Sequence, residues 1–298
     1  MNKGILYGIG AYVTWGFFPI YWKLLHHVPV LQLIGHRIIW SFLLLLVIIF
    51  FSKQWSEFQK TVTTRVLRVY TIAAVLIGIN WLVYVWAVNS GFIVETSLGY
   101  FINPLLSVLM GVIFFKERLR LVQWIPVGLA TLGVAYLTFV YGRLPYISLC
   151  LAFSFALYGL AKKLSPFGSL YGLTIETGIL FIPALVYLVF TQINQTAAFL
   201  NTGVASDFLM IGAGLFTTIP LLMFATAARS IPLWVVGLLQ YIAPTIQFLL
   251  GVFVYKEPFS HNQLIGFGIV WVALAIFLVE NYLANRASAE PIPELGEG

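Results

Sequence analysis

The feature that most constrains this chain is a series of long apolar segments that runs through nearly its whole length. Short polar joints separate ten such segments, at 4–24, 32–51, 69–89, 95–115, 121–140, 145–162, 170–190, 208–228, 234–255 and 263–281. A helix of about 20 apolar residues is long enough to cross the hydrocarbon core of a bilayer. The pattern therefore predicts an all-α polytopic membrane protein with ten transmembrane helices.

Composition excludes a large soluble domain. Only 9% of the 298 residues are charged and 61% are hydrophobic, whereas about a quarter of a soluble domain is charged. The apolar run after Lys3 is longer than a signal peptide, contains Trp15 and Pro19 and has no small-residue cleavage site, so we interpret it as a retained helix. The polar, acidic tail 285–298 is predicted to be disordered.

The basic residues predict an orientation. With the N-terminus in the cytoplasm, the outside loops hold only Arg143 and Lys256. The cytoplasmic set is then Lys3, Lys53, Lys60, Arg65, Arg68, Lys116, Arg118, Arg120, Lys162, Lys163, Arg229 and Arg286. The positive-inside rule places both termini in the cytoplasm. The net charge of +6 is spread over loops and is interpreted as membrane orientation, not as a nucleic-acid footprint.

The chain also resembles itself. Lys116-Glu117 corresponds to Lys256-Glu257, an offset of 140 residues. In the same register Ile102, Pro104, Leu109, Gly111, Val112, Gln123 and Gly128 match Ile242, Pro244, Leu249, Gly251, Val252, Gln263 and Gly268. We predict two five-helix repeats, 1–142 and 143–284. An odd number of spans per repeat forces the second repeat to be inverted relative to the first.

Inverted repeats are typical of alternating-access transporters, because exchanging the conformations of the two halves converts an inward-open state into an outward-open one. Glycines within the spans permit close helix packing or hinging, and prolines remove a backbone donor and free a carbonyl on the preceding turn. The residues expected to act in this way are Gly99, Gly111, Gly237, Gly251, Pro104 and Pro244.

At these residues the chain resembles a known family. Residues 98–135 and 238–275 each share a proline, a glycine, Lys-Glu, and then Gln and Gly, a pattern similar to the closing part of an EamA module of the drug/metabolite transporter superfamily. Further motifs resemble the RarD branch: Trp15-Gly16 with Pro19, Tyr21 and Lys23; His36-Arg37 with Trp40-Ser41; and the segments 98–104, 240–244 and 271–277.

That branch, the chloramphenicol-sensitivity proteins, comprises bacterial inner-membrane permeases. The resemblance implies ten helices, a central cavity and peripheral fifth and tenth helices. Lys256-Glu257-Pro258 departs from the pattern, and Pro258 is expected to end the ninth helix early.

Two charged residues lie well inside predicted spans, away from the ends, where a charge is costly and therefore suggests a structural or functional role. Glu176 is about six residues into the seventh span, and Arg37 is similarly deep in the second, its symmetry partner. One hypothesis gives Glu176 a proton-coupling or substrate-cation function, with Arg37 as its counter-ion or as an anion contact. The alternative is a buried ion pair that locks the helices.

Uncharged polar and aromatic side chains complete the candidate site. Asn103 and Gln240 stand one and four residues before the paired prolines Pro104 and Pro244, which favours a position on a cavity wall. The other candidates for an aromatic or amphipathic solute are Asn80, Trp15, Trp81, Tyr84, Tyr100 and Tyr241. Each could equally be a helix contact or part of an interfacial aromatic belt.

The prediction is a secondary transporter, most consistent with an exporter by resemblance, for a small organic solute, with no enzymatic activity, cofactor or metal. The alternatives are an intramembrane enzyme on a lipid-like substrate and a channel. Asp207 is the only aspartate and no His-Glu-x-x-His or Gly-x-Ser-x-Gly motif occurs, which disfavours the enzyme. The expected partners are the solute and the lipid bilayer, without nucleic acid; a homodimer is left open.

Overall fold

The fold is built entirely from helices in the residues that the structure, a computed structural model, describes: 3–89, 93–141, 146–256 and 260–287. The α-helices are α1 (Lys3–Gly16), α2 (Phe18–Leu24), α3 (Val30–Phe51), α4 (Trp55–Thr61), α5 (Thr64–Asn89), α6 (Ile93–Phe115), α7 (Trp124–Tyr141), α8 (Tyr146–Leu164), α9 (Ser169–Ile193), α10 (Val204–Ser230), α11 (Leu233–Leu239), α12 (Ile242–Leu249) and α13 (His261–Ala287). A 3₁₀ turn, Leu121–Gln123, precedes α7, and a π-helical turn, Leu250–Val254, follows α12.

Six helical stretches in the described part of the chain are long and apolar enough to cross a membrane: Val30–Phe51, Thr64–Tyr84, Leu121–Val140, Tyr146–Leu164, Ser169–Ile193 and Val204–Ser230. Shorter apolar helices occupy Gly99–Phe115, Leu233–Gln247 and Leu264–Ala273. The all-helical prediction is confirmed, and the protein is a multi-pass membrane protein. The short helix α4 lies in a segment where the sequence predicted only a polar joint.

Two of the predicted spans are broken helices. The first is split into α1 and α2 at Phe17, because Pro19 in the first turn of α2 has no N–H to continue the preceding helix. The ninth is split into α11 and α12 around Gln240 and Tyr241. Pro244, four residues after Gln240, cannot donate to the Gln240 carbonyl, so the helical hydrogen-bond ladder is interrupted there. Each of these two predicted spans therefore consists of two helices.

The chain divides into two compact units. The first consists of residues 1–117 and 145–257. Within it α3 packs on α9 and α10, α6 on α8 and α11, α5 on α8 and α9, and α1 on α10 and α12. Its buried core includes Tyr12, Leu45, Tyr158 and Phe224.

The second unit consists of residues 118–144 and 258–298 and is centred on α7 packed against α13. Arg120 forms an ion pair with Glu280 at 3.1 Å. The Tyr136 hydroxyl donates to Asn262 Oδ1 at 3.0 Å. These two helices are the predicted fifth and tenth spans. Helix α13 extends to Ala287, into the predicted tail; residues 288–298 and Pro258 lie outside the described residues.

Candidate functional site

A cavity lies among helices of the first unit and contains about 840 Å³ of empty space, its open mouth included. The part of it that a water-sized molecule can enter is about 100 Å³, smaller than the roughly 300–1,000 Å³ of most small-molecule sites. Both halves of the chain contribute to its wall. The lining residues are Tyr12, Trp15, Phe18, Trp22, Arg37, Asn80, Trp81, Tyr84, Tyr100, Asn103, Phe155, Leu221, Gln240, Ala243, Pro244 and Gln247.

Most of the solute-contact candidates named from the sequence meet at this cavity. Those that line it are Trp15, Arg37, Asn80, Trp81, Tyr84, Tyr100, Asn103 and Gln240, and Pro244 joins them. Glu176 and Tyr241 do not line it. Tyr241 is buried, and its hydroxyl donates to the carbonyl of Phe101 at 3.3 Å.

Arg37 is the charged residue of the cavity wall. It projects from α3, and only 8% of its surface is exposed. Its guanidinium carbon lies 4.8 Å from the ring centroid of Trp22 and 4.8 Å from that of Trp81, a geometry in which ring faces stabilise a cation. Its Nε donates to Thr217 Oγ1 at 2.9 Å. Among the described residues no carboxylate forms an ion pair with it.

Glu176 has a different counter-ion from the one expected. Lys162 Nζ lies 2.8 Å from Glu176 Oε1, and both side chains are almost fully buried. The Tyr158 hydroxyl donates to Glu176 Oε2 at 3.0 Å. Lys162, the last residue of the predicted span 145–162, lies inside α8, which continues to Leu164, and its side chain faces α9. The expectation that Arg37 is the counter-ion of Glu176 was wrong.

Three polar atoms of the cavity lining are buried without a hydrogen bond of regular geometry in the described part of the chain. They are the Tyr12 hydroxyl, Asn103 Oδ1 and Gln240 Oε1, and the Tyr12 hydroxyl has the Gln240 side chain as its hydrogen-bonding neighbour. Tyr12 is 2% exposed, and Asn103 and Gln240 are each 5% exposed. The Gln240 amide nitrogen is satisfied by Ser107 Oγ at 3.1 Å. Since buried polar groups are almost always paired, these atoms indicate a place for a bound molecule or water.

Other amides of the lining connect helices. Asn80 Nδ2 donates to the carbonyl of Leu151 at 2.9 Å and to Ser154 Oγ at 3.0 Å, which joins α5 to α8. Gln247 Nε2 donates to the Trp15 carbonyl at 3.1 Å, which joins α12 to α1. These two residues therefore contact the cavity and hold its wall together.

The named glycines permit close contacts. A Cβ atom at Gly237 would lie 2.7 Å from the carbonyl oxygen of Pro104, and one at Gly99 would lie 3.0 Å from the Ser148 carbonyl. At Gly111 it would meet the carboxylate of Glu117, the end of a flexible side chain. Of the three positions, Gly237 is therefore the one at which a side chain would clash directly with backbone. The surroundings of Gly251 lie outside the described residues.

Glu117 ties three segments together. Its Oε1 accepts hydrogen bonds from Lys163 Nζ at 2.7 Å and from the backbone N–H of Leu233 at 2.9 Å, and its Oε2 accepts one from Trp234 N–H at 3.2 Å. The carboxylate thus satisfies donors at the first turn of α11, where a helix has unpaired N–H groups.

Sequence reasoning missed several contributors to the site. Tyr12, Trp22 and Phe155 line the cavity, but nothing in the sequence distinguishes them from the many other aromatic residues of the spans. The signal for Lys162 was present: it is four residues after Tyr158 on one predicted helix, and so shares a face with it. Within the described residues no cluster of three or more His, Cys, Asp or Glu side chains could hold a metal ion.

A second cavity shares part of this wall. It contains about 990 Å³ of empty space and includes Trp22, Arg37 and Tyr84, which also line the first. Lys23 and His26 line it as well, and no acidic side chain belongs to its lining. Arg37 therefore lines both cavities.

Comparison with known proteins places the chain among transporters. The sequence profile of the EamA-like transporter family matches residues 2–139. The chain is 46% identical over 291 residues to an uncharacterized transporter, YojE, of Bacillus subtilis strain 168, covering 96% of this chain and 97% of that one. It is 40% identical over 290 residues to protein RarD of Escherichia coli K12, covering 97% and 98%. A crystal structure with 18% identity superposes with a TM-score of 0.68 over 94% of this chain and 98% of the other, a likeness that concerns the fold alone.

Proposed function

Because the chain belongs to the EamA-like transporter family and to its RarD branch, we propose that it moves a small organic solute across the bacterial inner membrane by alternating access. Ten transmembrane helices in two inverted five-helix repeats, 1–142 and 143–284, form the carrier, and both termini are in the cytoplasm. The cavity around Arg37 holds the solute. Export is the proposed direction.

The observation that carries this proposal is the symmetry of helix packing. Under the repeat, α1 with α2 corresponds to α8, α3 to α9, α5 to α10, α6 to α11 with α12, and α7 to α13. The contact between α1 and α10 then corresponds to the contact between α8 and α5. In the same way, the contact between α3 and α10 corresponds to the contact between α9 and α5. Likewise α6 on α8 corresponds to α12 on α1. Two related halves packed about a pseudo-two-fold axis produce such pairs.

Individual contacts follow the same correspondence. Lys163 Nζ lies 4.8 Å from the centroid of the Phe115 ring, and Lys23 Nζ lies 3.4 Å from that of Tyr255; each pair is related to the other by the 140-residue offset. Phe101 and Tyr241, which are equivalents of one another, are in contact with ring centroids 6.2 Å apart. Equivalent residues that touch are expected beside a pseudo-two-fold axis.

The two halves also differ where alternating access requires a difference. In the second half, the residue equivalent to Trp22 is Lys162. Its buried ion pair with Glu176 occupies this part of the helix bundle. The corresponding region of the first half, around Trp22 and Arg37, borders two cavities. A carrier caught in one state is expected to have one end filled and the other accessible.

Transport is tested on purified protein reconstituted in vesicles. An untargeted metabolite comparison of overexpressing and deleted cells supplies the solute, and chloramphenicol is included because the branch is named for sensitivity to it. Saturable uptake that is accelerated by solute on the opposite side supports a carrier. Uptake without saturation supports the channel instead, and chemical conversion of the solute supports the enzyme.

Proton coupling is a separate part of the proposal. The buried Lys162 contact supports the structural alternative for Glu176, in which the ion pair locks α8 to α9. The Glu176→Gln variant distinguishes the two hypotheses if solute uptake is measured with and without a pH gradient. If the pH gradient no longer stimulates uptake by the variant, but uptake down the solute gradient is retained, the result supports proton coupling through Glu176. If the pH dependence of uptake is unchanged, the result supports a structural ion pair between α8 and α9.

A further inference from the structure

The strongest unexplained feature of the cavity is a cation without a counter-charge. Arg37 is largely buried, and its hydrogen-bond acceptor, Thr217 Oγ1, is uncharged. Neither cavity that it borders has an Asp or Glu in its lining. A buried charge is costly unless it is paired. The missing anion is therefore expected to come from the molecule that occupies the site.

The setting of Arg37 suits a carboxylate. The rings of Trp22 and Trp81 both lie within cation–π distance of the guanidinium, and its Nε is held by Thr217. A guanidinium fixed in this way offers its remaining N–H donors in the planar arrangement that matches a carboxylate. The burial of Arg37 strengthens the attraction between opposite charges.

The remaining lining indicates the body of the ligand. Trp15, Tyr84, Tyr100 and Phe155 give the cavity aromatic walls, which favour a flat apolar group. The Asn103 Oδ1 atom is an unpartnered hydrogen-bond acceptor and requires an O–H or N–H donor on the ligand. The Tyr12 hydroxyl lies beside the Gln240 side chain and can donate to it or to the ligand.

We propose that this cavity binds an organic anion, a flat aromatic carboxylate whose carboxylate pairs with Arg37 and whose own donor group reaches Asn103. This assignment deepens the transport function proposed above and rests on it. The second cavity, lined by Lys23 and His26, provides a route to Arg37 that carries no repelling carboxylate.

The test is equilibrium binding to the full-length purified protein in detergent with excess chloride present. The probes are 4-hydroxyphenylacetate, its neutral analogue 4-hydroxyphenylacetamide, and 4-methylphenylacetate, which lacks the donor. We expect the hydroxylated carboxylate to bind about tenfold or more tightly than the amide, because a hydrogen-bonded ion pair is lost in the amide. We expect it to bind several-fold more tightly than the methyl analogue.

Variants assign the effect to Arg37. Arg37→Gln should remove the preference for carboxylate over amide, and Arg37→Lys should retain part of it, since the charge remains and the planar donor array does not. Asn103→Leu should remove the preference for hydroxyl over methyl while keeping that for carboxylate. Arg65→Gln is the control, because Arg65 is exposed at the start of α5. Each variant is first checked for the monodisperse elution of the wild type.

The outcomes separate this proposal from the transport proposal. Equal binding of carboxylate and amide, carboxylate binding that is unchanged in Arg37→Gln, or no carboxylate binding up to about 1 mM overturns the anion assignment. If one of these results is found but the vesicles show saturable transport of a neutral solute, the anion assignment fails and the transport proposal is retained. If carboxylate binding depends on Arg37 but the vesicles show no transport, the transport proposal fails and the anion assignment is retained.

Discussion

The buried pair of Lys162 and Glu176 gives the sharpest prediction at the scale of single residues. Both side chains are at most 1% exposed, and their charged atoms are 2.8 Å apart. Removing one partner leaves an uncompensated buried charge, which costs about 3–5 kcal/mol. Lys162→Met and Glu176→Gln should each lower the free energy of unfolding by about this amount. The measurement is unfolding in detergent micelles with increasing denaturant.

The double variant Lys162→Met/Glu176→Gln is the decisive companion. It removes both charges. The decrease in its free energy of unfolding should therefore be well below the sum of the decreases in the two single variants. Lys60→Met serves as a control, because Lys60 is exposed in α4. Additive losses in the double variant would show that the two groups do not interact as a pair.

The glycine at position 237 makes a second prediction about a residue. In Gly237→Ala the new Cβ would meet the backbone carbonyl of Pro104 at 2.7 Å, and a backbone atom cannot move aside as a side chain can. We expect a loss of about 1–3 kcal/mol from overpacking. Gly128→Ala is the matched control, since no atom lies within 4 Å of its Cβ position. Similar melting temperatures for both variants would contradict the close contact of α6 with α11.

These residues show what the sequence could and could not reveal. Arg37, Asn103 and Gln240 were recognised because a polar side chain in an apolar span needs a reason. Lys162 was missed because it adjoins Lys163 at the end of a span, where a lysine ordinarily reaches water. Trp22 and Tyr12 were missed because aromatic residues are abundant in this chain, and only the fold selects those that face the cavity.

At the scale of elements, the start of α11 depends on a distant side chain. The Glu117 carboxylate accepts hydrogen bonds from the N–H groups of Leu233 and Trp234 and from Lys163. Glu117→Gln removes the charge, and hydrogen bonds to charged groups are worth about 1.5–3 kcal/mol. Amide hydrogen exchange at residues 233–236 should therefore become faster by about tenfold or more.

Two comparisons make that prediction specific. Amide exchange in the middle of α9 should be unchanged in Glu117→Gln. Glu57→Gln, which changes the first turn of α4, should leave residues 233–236 as protected as in the wild type. Unaltered protection of those residues in Glu117→Gln would mean that the carboxylate does not hold the first turn of α11.

The elements themselves were predictable to different degrees. Continuous helices such as α3 and α9 follow directly from uninterrupted apolar runs of sufficient length. The breaks at Phe17 and at Gln240 did not, because the apolar composition continues across both and hydropathy does not respond to a missing backbone donor. Pro104 shows the difficulty: it lies inside the continuous helix α6, whereas its equivalent Pro244 follows a break.

At the scale of the whole molecule, the proposed function depends on two halves that face opposite ways in the bilayer. The 140-residue offset and the correspondence of helix contacts support this proposed arrangement. It requires equivalent residues of the two halves to lie on opposite membrane faces. Lys116 and its equivalent Lys256 form the clearest such pair, because each follows the end of a helical segment.

The most direct measurement is the accessibility of cysteines placed at these two positions. Cys150, the only cysteine in the sequence, is first replaced by serine, and Lys116→Cys and Lys256→Cys are then made separately. A membrane-impermeant maleimide is applied to intact cells and to inside-out vesicles. The account predicts that position 256 is labelled in cells and position 116 only in inside-out vesicles. Labelling of both positions from the same side would contradict the inverted repeat and the alternating access built on it.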